Sequence, residues 1–150
     1  MVYNYITADE AAEMIPHGAT VGFSGFTAPG TPKFIPEAIA KRAEKEHESG
    51  REYKINLFTG ASTSDRADGN LSRANALNMR APYQNVPDLR KRINSHDCHY
   101  FDRHLSEMAQ EVRYGFYGKI DFAIIEATSI SPDGEVLLGC GLGNVPTYAA

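Results

Sequence analysis

The stretch IDFAIIEA, from Ile120 to Ala127, decides the fold that the sequence predicts. It is a nearly continuous apolar run of strand length, which is typical of a strand buried on both faces of a sheet. Pro132-Asp133-Gly134 forms a predicted turn, and residues 135–139 are the next run of strand type. A strand covered on both faces indicates a sheet that has helices on either side, as in α/β proteins.

Upstream of this segment, runs of strand type alternate with helical patterns. Thr7 and Glu10 have the spacing of a capping box, and Leu105, Met108 and Val112 form an apolar helical stripe. The alternation favours an α/β domain, a mostly parallel sheet flanked by helices. Strands are predicted at 19–23, 53–58 and 98–101, and helices at 7–15, 36–48, 69–77, 88–94 and 102–115.

The composition is that of a folded water-soluble domain. The chain has 150 residues, of which 42% are hydrophobic and 23% charged, and this length suffices for one substantial core. The formal net charge of −4 gives no electrostatic reason to expect nucleic acid or an anionic membrane as a partner. No signal-peptide pattern or apolar run of transmembrane length is present, so Cys98 and Cys140 are predicted to be free thiols in the cytoplasm.

Three segments that follow predicted strands are rich in Gly, Ser or Thr. They are residues 24–30, residues 59–63 and the segment after Glu126. In sheets of parallel strands, the loops at the carboxyl ends of the strands form the ligand crevice. The sequence therefore predicts a binding site at this edge, although the pattern does not specify the ligand.

The stretch VGFSGFTAPGTPK, Val21 to Lys33, comes close to three catalytic motifs without matching any of them. Phe26 replaces the second glycine that the G-x-S-x-G nucleophile elbow requires. Thr31-Pro32 follow Gly30 where a P-loop has Lys and Ser or Thr, and no G-x-G-x-x-G is present. Two interpretations stay open: a tight turn that needs glycine for positive φ, or an anion cradle of backbone N–H groups.

Other polar residues each have a catalytic or binding interpretation and a structural one. The hydroxyls of residues 59–63 form an ST-turn or bind a carboxylate or thioester carbonyl. Arg80 is a bidentate carboxylate ligand or a surface charge. Glu126 is an acid, base or nucleophile with a raised pKa, or else it caps a loop or pairs with an arginine.

Two further patterns do not fit the sites that they resemble. The spacing in His96-Asp97-Cys98-His99 matches no standard zinc site, so no metal is predicted. Residues 139–144 resemble a dinucleotide-binding loop, but Asn144 replaces the third glycine.

Taken together, these segments resemble the amino-terminal region of the acetyl-CoA hydrolase/transferase family, which includes succinyl-CoA:acetate CoA-transferases. The similar segments span nearly the whole chain in the family's order, which makes the resemblance far more specific than any single motif. They are GFSGFTAPGTPK with IPEAIAKRA (22–43), LFTGAST (57–63), RAPYQ (80–84), YFDRHLSEMAQ (100–110) and GKIDFAIIEAT with SPDGEV (118–136).

The resemblance implies a CoA-transferase-like α/β fold and an acyl-CoA:carboxylate CoA-transferase acting on acetate, succinate or similar short-chain acids. In this family CoA moves by a ping-pong route through a glutamyl-CoA thioester, with coenzyme A as a substrate and no metal or redox cofactor. The expected assembly is a cytoplasmic homodimer that binds neither nucleic acid nor membrane. Acetyl-CoA hydrolysis remains the alternative, and for the isolated chain so does a non-catalytic folding or dimerisation unit.

The family's nucleophilic glutamate lies in a carboxy-terminal domain. Residues 1–150 are therefore expected to be most of the amino-terminal domain, with the catalytic-glutamate domain absent and no catalytic residue assigned here. The substrate-binding residues implied by resemblance and chemistry are Ser24, Gly25, Phe26, Ser62, Thr63, Arg80, Tyr83, Gln84 and His104.

Overall fold

A computed structural model gives the fold and describes residues 3–23, 25–61 and 64–150. Its centre is a parallel sheet of five strands in the order β4-β3-β2-β1-β5. The strands are β1 (Thr20–Phe23), β2 (Ile55–Phe58), β3 (Leu77–Ala81), β4 (His99–Tyr100) and β5 (Phe122–Ile124). This architecture confirms the α/β fold, a mostly parallel sheet flanked by helices.

Helices connect the strands, and an antiparallel hairpin of β6 and β7 follows β5. A 3₁₀ turn at Ala28–Gly30 and a π-helical turn at Asp65–Gly69 lie in the loops after β1 and β2. The remaining elements are α1 (Ala8–Glu13), α2 (Ile35–Glu48), α3 (Asn70–Arg73), α4 (Pro87–Asn94), α5 (Leu105–Arg113), β6 (Ala127–Ile130), β7 (Val136–Leu138) and α6 (Val145–Tyr148).

Local sequence signals explain where helix α1 begins and where helix α2 begins and ends. The Thr7 hydroxyl accepts from the Glu10 N–H, and the Glu10 carboxylate accepts from the Thr7 N–H, so the capping box is confirmed. Pro36 occupies the first turn of α2, where its missing N–H has no cost, and Gly50 with a φ of +73° follows the end of that helix.

The two faces of the sheet have separate cores. Leu57 packs with Val21, Ile39 and Leu71 on the face that α2 and α3 cover. Its neighbour Phe58 points to the opposite face, because successive strand residues alternate, and packs there with residues of α5 and α6. Arg80 pairs in register with Leu57 and so lies on the first face.

The expectation for residues 120–127 needs correction. The strand is limited to Phe122–Ile124, and residues from Ala127 turn away into the hairpin strand β6. Ala123 is exposed and Phe122 half-buried, because β5 forms the edge of the sheet and is not covered on both faces within the described residues. The strand at 135–139 likewise belongs to the antiparallel hairpin.

The segment from 69 to 81 also differs from the expectation. The predicted helix at 69–77 is in fact a π-helical turn followed by one turn of α3, and β3 begins at Leu77. The helix at 88–94 and the strand near 99–100 are confirmed. Within the part of the chain that the structure describes, no helix has the length and apolar character needed to cross a bilayer.

Candidate active site

The carboxyl ends of the parallel strands share one edge of the sheet, and several loops meet there. Residues 25–34 follow β1, residues 59–61 follow β2, and Glu126 follows β5. Residues 139–144 arrive at the same edge between the hairpin and α6. This is the edge at which the sequence predicts a binding site, because loops at the carboxyl ends of parallel strands form the ligand crevice.

A glycine cluster of Gly25, Gly30, Gly60, Gly141 and Gly143 brings these loops into direct backbone contact. A Cβ atom on Gly30 would lie 2.1 Å from the carbonyl oxygen of Gly141, and one on Gly143 would lie 2.4 Å from that of Gly25. A Cβ atom on Gly60 would lie 2.7 Å from the same Gly25 oxygen. The glycines are therefore required for loop-to-loop packing, and Gly143, with a φ of +50°, also for its backbone conformation.

A cavity of about 370 Å³ opens beside the glycine cluster. Its wall includes Gly30, Glu126, Cys140, Gly141 and Leu142. The volume lies within the range of small-molecule sites, about 300–1,000 Å³. The glycines keep part of this wall free of side chains, so a ligand can approach the backbone there.

An ion pair between Lys33 and Glu126 crosses the same edge. Lys33 lies just before α2 and Glu126 just after β5, so the contact joins the loop after β1 to the end of the edge strand. The two side chains are 37% and 38% exposed. Of the two interpretations of Glu126, this contact favours the structural one, with a lysine as a partner.

The loop after β2 is held on the side of α6 by hydrogen bonds to its backbone. The Thr59 carbonyl accepts from the Tyr148 hydroxyl at 2.8 Å and from the Asn144 side-chain amide at 3.3 Å. The Thr27 N–H donates to the Ala61 carbonyl at 2.8 Å. Burial raises the pKa of Tyr148 to about 12, so its hydroxyl keeps the proton that it donates.

Arg80 and Asp68 form a fully buried ion pair on the other side of this loop, and both side chains are 0% exposed. The Arg80 Nε and Nη2 groups donate to the two carboxylate oxygens of Asp68 at 2.9 and 3.0 Å. Arg80 therefore binds a carboxylate in the bidentate way that its chemistry suggests, but the carboxylate is internal. The Arg80 side chain has no exposed surface in the described structure, and its expected place in a substrate pocket stays a prediction.

Comparison with known proteins decides the family. The family model described as the acetyl-CoA hydrolase/transferase N-terminal domain matches residues 2–150. The chain belongs to this family. Propanoyl-CoA:succinate CoA transferase of Escherichia coli is 54% identical over 95% of this chain and 29% of the relative.

Other relatives carry two different activities in their names. Succinyl-CoA:acetate CoA-transferase of Clostridium kluyveri is 43% identical over 95% of this chain and 26% of its own length. Acetyl-CoA hydrolase of Saccharomyces cerevisiae is 38% identical over 93% of this chain and 28% of its own length. The chain thus spans 26–29% of the length of these three relatives.

A solved structure has the same fold at low sequence identity. RipA from Yersinia pestis superposes with a TM-score of 0.71 and 17% identity, over 96% of this chain and 34% of that chain. The similarity confirms the expected α/β fold.

Apart from Arg80 and Gln84, the site residues expected from resemblance and chemistry separate into three groups. Gly25 belongs to the glycine cluster, and Phe26 beside it is 53% exposed. Tyr83 and His104 line a second cavity of about 430 Å³ with Asp102, Arg103 and Leu105. Ser24, Ser62 and Thr63 lie outside the described residues.

His104 and Gln84 have local environments that the sequence did not reveal. The His104 ring caps α5, since its Nδ1 accepts from the Ser106 N–H at 3.4 Å and lies 2.6 Å from the Ser106 hydroxyl. The buried Oε1 of Gln84 has no hydrogen-bond partner among the described residues. Sequence reasoning missed the contribution of Gly141 and Gly143, for which the glycine spacing of residues 139–143 was the available signal.

The His96–His99 segment and the glycine-rich segment 139–144 have structural positions. His96 follows α4 in a left-handed conformation with a φ of +62°, and His99 begins β4. In the residues 3–23, 25–61 and 64–150, no three His, Cys, Asp or Glu side chains are grouped as metal ligands. Residues 139–144 pack glycine against glycine on the loop after β1, which is not the open geometry of a dinucleotide loop.

The two thiols differ in environment, and we predict that they differ in reactivity. Cys98 is buried, and burial raises the pKa of its thiol to about 11, whereas Cys140 is exposed in the cavity wall. At pH 8 iodoacetamide should therefore label Cys140 in the folded protein and leave Cys98 unmodified until the protein is unfolded, since the thiolate is the reactive form. Peptide mass spectrometry measures both sites, and equal labelling of Cys98 in the folded state would contradict the assignment.

Proposed function

We propose that this chain is the amino-terminal domain of an acyl-CoA:carboxylate CoA-transferase that uses short-chain acids such as acetate, propanoate or succinate. The observation that carries the proposal is the glycine cluster at the carboxyl edge of the sheet, beside a cavity of about 370 Å³. The planar carbonyl of an acyl group becomes a tetrahedral intermediate with an oxyanion during acyl transfer. A cavity wall made of backbone suits this change, because backbone N–H groups stabilise an oxyanion. The named activities of the E. coli and C. kluyveri relatives support the same reaction.

The proposed chemistry is covalent and uses a nucleophile from outside residues 1–150. A glutamate carboxylate attacks the thioester carbonyl, the C–S bond breaks, CoA leaves as the thiolate, and an acyl-glutamyl anhydride remains. The thiolate then attacks the glutamyl carbonyl, which releases the first carboxylate and forms a glutamyl-CoA thioester. An acceptor carboxylate reverses these steps, so each difficult exchange is divided into easier ones.

Within this proposal the domain binds and orients substrates. Gly25 and Phe26 border the acyl group, together with Ser24, Ser62 and Thr63, which lie outside the described residues. The second cavity, with Tyr83 and His104 in its wall and Gln84 next to Tyr83 in the chain, is a further candidate for contact with the substrate. We propose a cytoplasmic homodimer for the complete protein, with no nucleic-acid or membrane partner.

Hydrolysis is the second candidate, because relatives from yeasts are named acetyl-CoA hydrolases. It would use the same covalent intermediate with water as the acceptor. The isolated 150-residue chain is expected to be inactive in both reactions, because the proposal places the nucleophile elsewhere.

An acceptor panel separates the two reactions. The complete protein is incubated with propanoyl-CoA and with acetate, succinate or no acceptor, and acyl-CoA products and free thiol are both followed. We expect a new acyl-CoA only when the matching carboxylate is present, with thiol release slower than transfer. Fast thiol release that is indifferent to the acceptor would overturn the transferase proposal and leave hydrolysis.

A further inference from the structure

The buried Arg80–Asp68 pair is connected to both ends of the loop after β2. Besides its two contacts with Asp68, Arg80 donates from Nη1 to the carbonyl of Ala81 at 2.6 Å. The same Ala81 carbonyl accepts from the N–H of Thr59 at 3.0 Å. Thr59 begins the loop and Asp68 lies in the turn that follows it, so one guanidinium is linked to both ends of the segment, of which residues 59–61 and 64–68 are described. We call these contacts, from Arg80 to Asp68 and from Arg80 and Thr59 to the Ala81 carbonyl, the bracket.

The bracketed loop is part of the candidate active site. Gly60 packs against the backbone of Gly25, and the Ala61 carbonyl accepts from the Thr27 N–H. The turn after the loop is π-helical, a rare geometry that is often found at functional sites. A displacement of Thr59 or Asp68 would therefore disturb the contacts of Gly60 and Ala61 with the loop after β1, and Gly30 of that loop lines the cavity.

The energetics of buried ion pairs favour a role in positioning over a role in stability. Desolvation of two charges offsets most of their attraction, and a well-packed apolar pair of similar volume is often as stable. Arg80 and Asp68 lie on the face of the sheet that α2 and α3 cover, among apolar neighbours, where an apolar pair would fit. An apolar pair could not supply the directed hydrogen bonds that Arg80 donates to Asp68, in the turn after the loop, and to the Ala81 carbonyl.

We infer that Arg80 and Asp68 are positioning residues: they hold Gly60 and Ala61 against the loop after β1, which borders the cavity, and do not contact the substrate themselves. This inference rests on the proposed function of the carboxyl edge. It also replaces the direct role that the sequence suggested for Arg80 with an indirect one.

The test uses the double variant Asp68→Leu/Arg80→Met of the complete protein, which removes the bracket and keeps an apolar core. Its melting temperature should stay near that of the wild type, whereas kcat/KM for CoA transfer should fall by roughly 10- to 100-fold because the loop is misplaced. Hydrogen exchange should become faster in peptides that cover residues 59–69. The matched control is Glu37→Leu/Lys41→Met on the exposed face of α2, which should change none of these quantities.

The outcomes separate this inference from the proposed function. If the wild type transfers CoA and the double variant keeps the wild-type kcat/KM and exchange pattern, the inference is overturned. If the wild type shows neither transfer nor hydrolysis, the proposed function fails, and the exchange of residues 59–69 still decides whether the bracket holds the loop. If the double variant does not fold, Arg80→Lys is used instead, because lysine keeps the positive charge but cannot bind a carboxylate through two parallel N–H groups. A wild-type kcat in that folded variant would also overturn the inference.

Discussion

Replacement of Asp68 by alanine, with Arg80 left in place, should destabilise the domain by about 3–5 kcal/mol. The Arg80 guanidinium is 0% exposed and loses both of its carboxylate contacts in this variant. A buried charge without a counter-ion has neither water nor a partner to stabilise it, so the folded state becomes much less stable. Chemical denaturation of the wild type and the variant measures the difference.

The matched control is Asp65→Ala, three residues earlier in the same turn. Asp65 also pairs with an arginine, Arg73, but its side chain is 69% exposed. An exposed pair of this kind contributes about 0–1 kcal/mol, so the control should stay close to the wild type. If Asp68→Ala and Asp65→Ala lower the free energy of unfolding equally, burial of the Arg80–Asp68 pair does not determine its contribution to stability. Asp68→Ala should also be less stable than the double variant Asp68→Leu/Arg80→Met, because the double variant leaves no buried charge unpaired.

Gly141→Ala should damage both stability and activity. A Cβ atom at this position would lie 2.4 Å from the Cα of Gly30 and 2.5 Å from its nitrogen, and both are backbone atoms that cannot rotate away. Forcing extra atoms into a packed site costs about 1–3 kcal/mol, and here the two loops that border the cavity must also separate. We expect a lower melting temperature and a reduced kcat/KM for CoA transfer in the complete protein.

Gly139→Ala is the control for this prediction, two residues away in the same segment. A Cβ atom there would have its nearest neighbour, the Thr128 hydroxyl, at 3.7 Å, which is ordinary van der Waals contact. This variant should keep the stability of the wild type. If Gly141→Ala behaves like Gly139→Ala, the close approach of Gly30 and Gly141 is not required for the site.

Much of the fold could be predicted because its signals are local. The capping box of α1, the proline at the start of α2 and the stripe on α5 each depend on residues within a few positions of one another. Strand β3 was missed because Arg80 sits at a buried position and hides the apolar pattern. The burial of Arg80 depends on Asp68, twelve residues away, and no local pattern reports such a partner.

The candidate site could be predicted only in part. The glycines of the loop after β1 indicated the edge of the sheet beside which the cavity lies, because position after a strand is a local property. Their packing partners Gly141 and Gly143 are more than a hundred residues away, so their contacts are tertiary and invisible to spacing rules. Lys33 as the partner of Glu126 is a contact of the same long-range kind.

The location of the covalent intermediate tests the central claim most directly, namely that this domain is one wall of a CoA-transfer site whose nucleophile lies elsewhere. The complete protein is incubated with propanoyl-CoA without an acceptor, quenched and digested, and the CoA adduct is mapped by tandem mass spectrometry. We expect an adduct on a glutamate outside residues 1–150. An adduct on Glu126, or CoA transfer without any adduct, would contradict it.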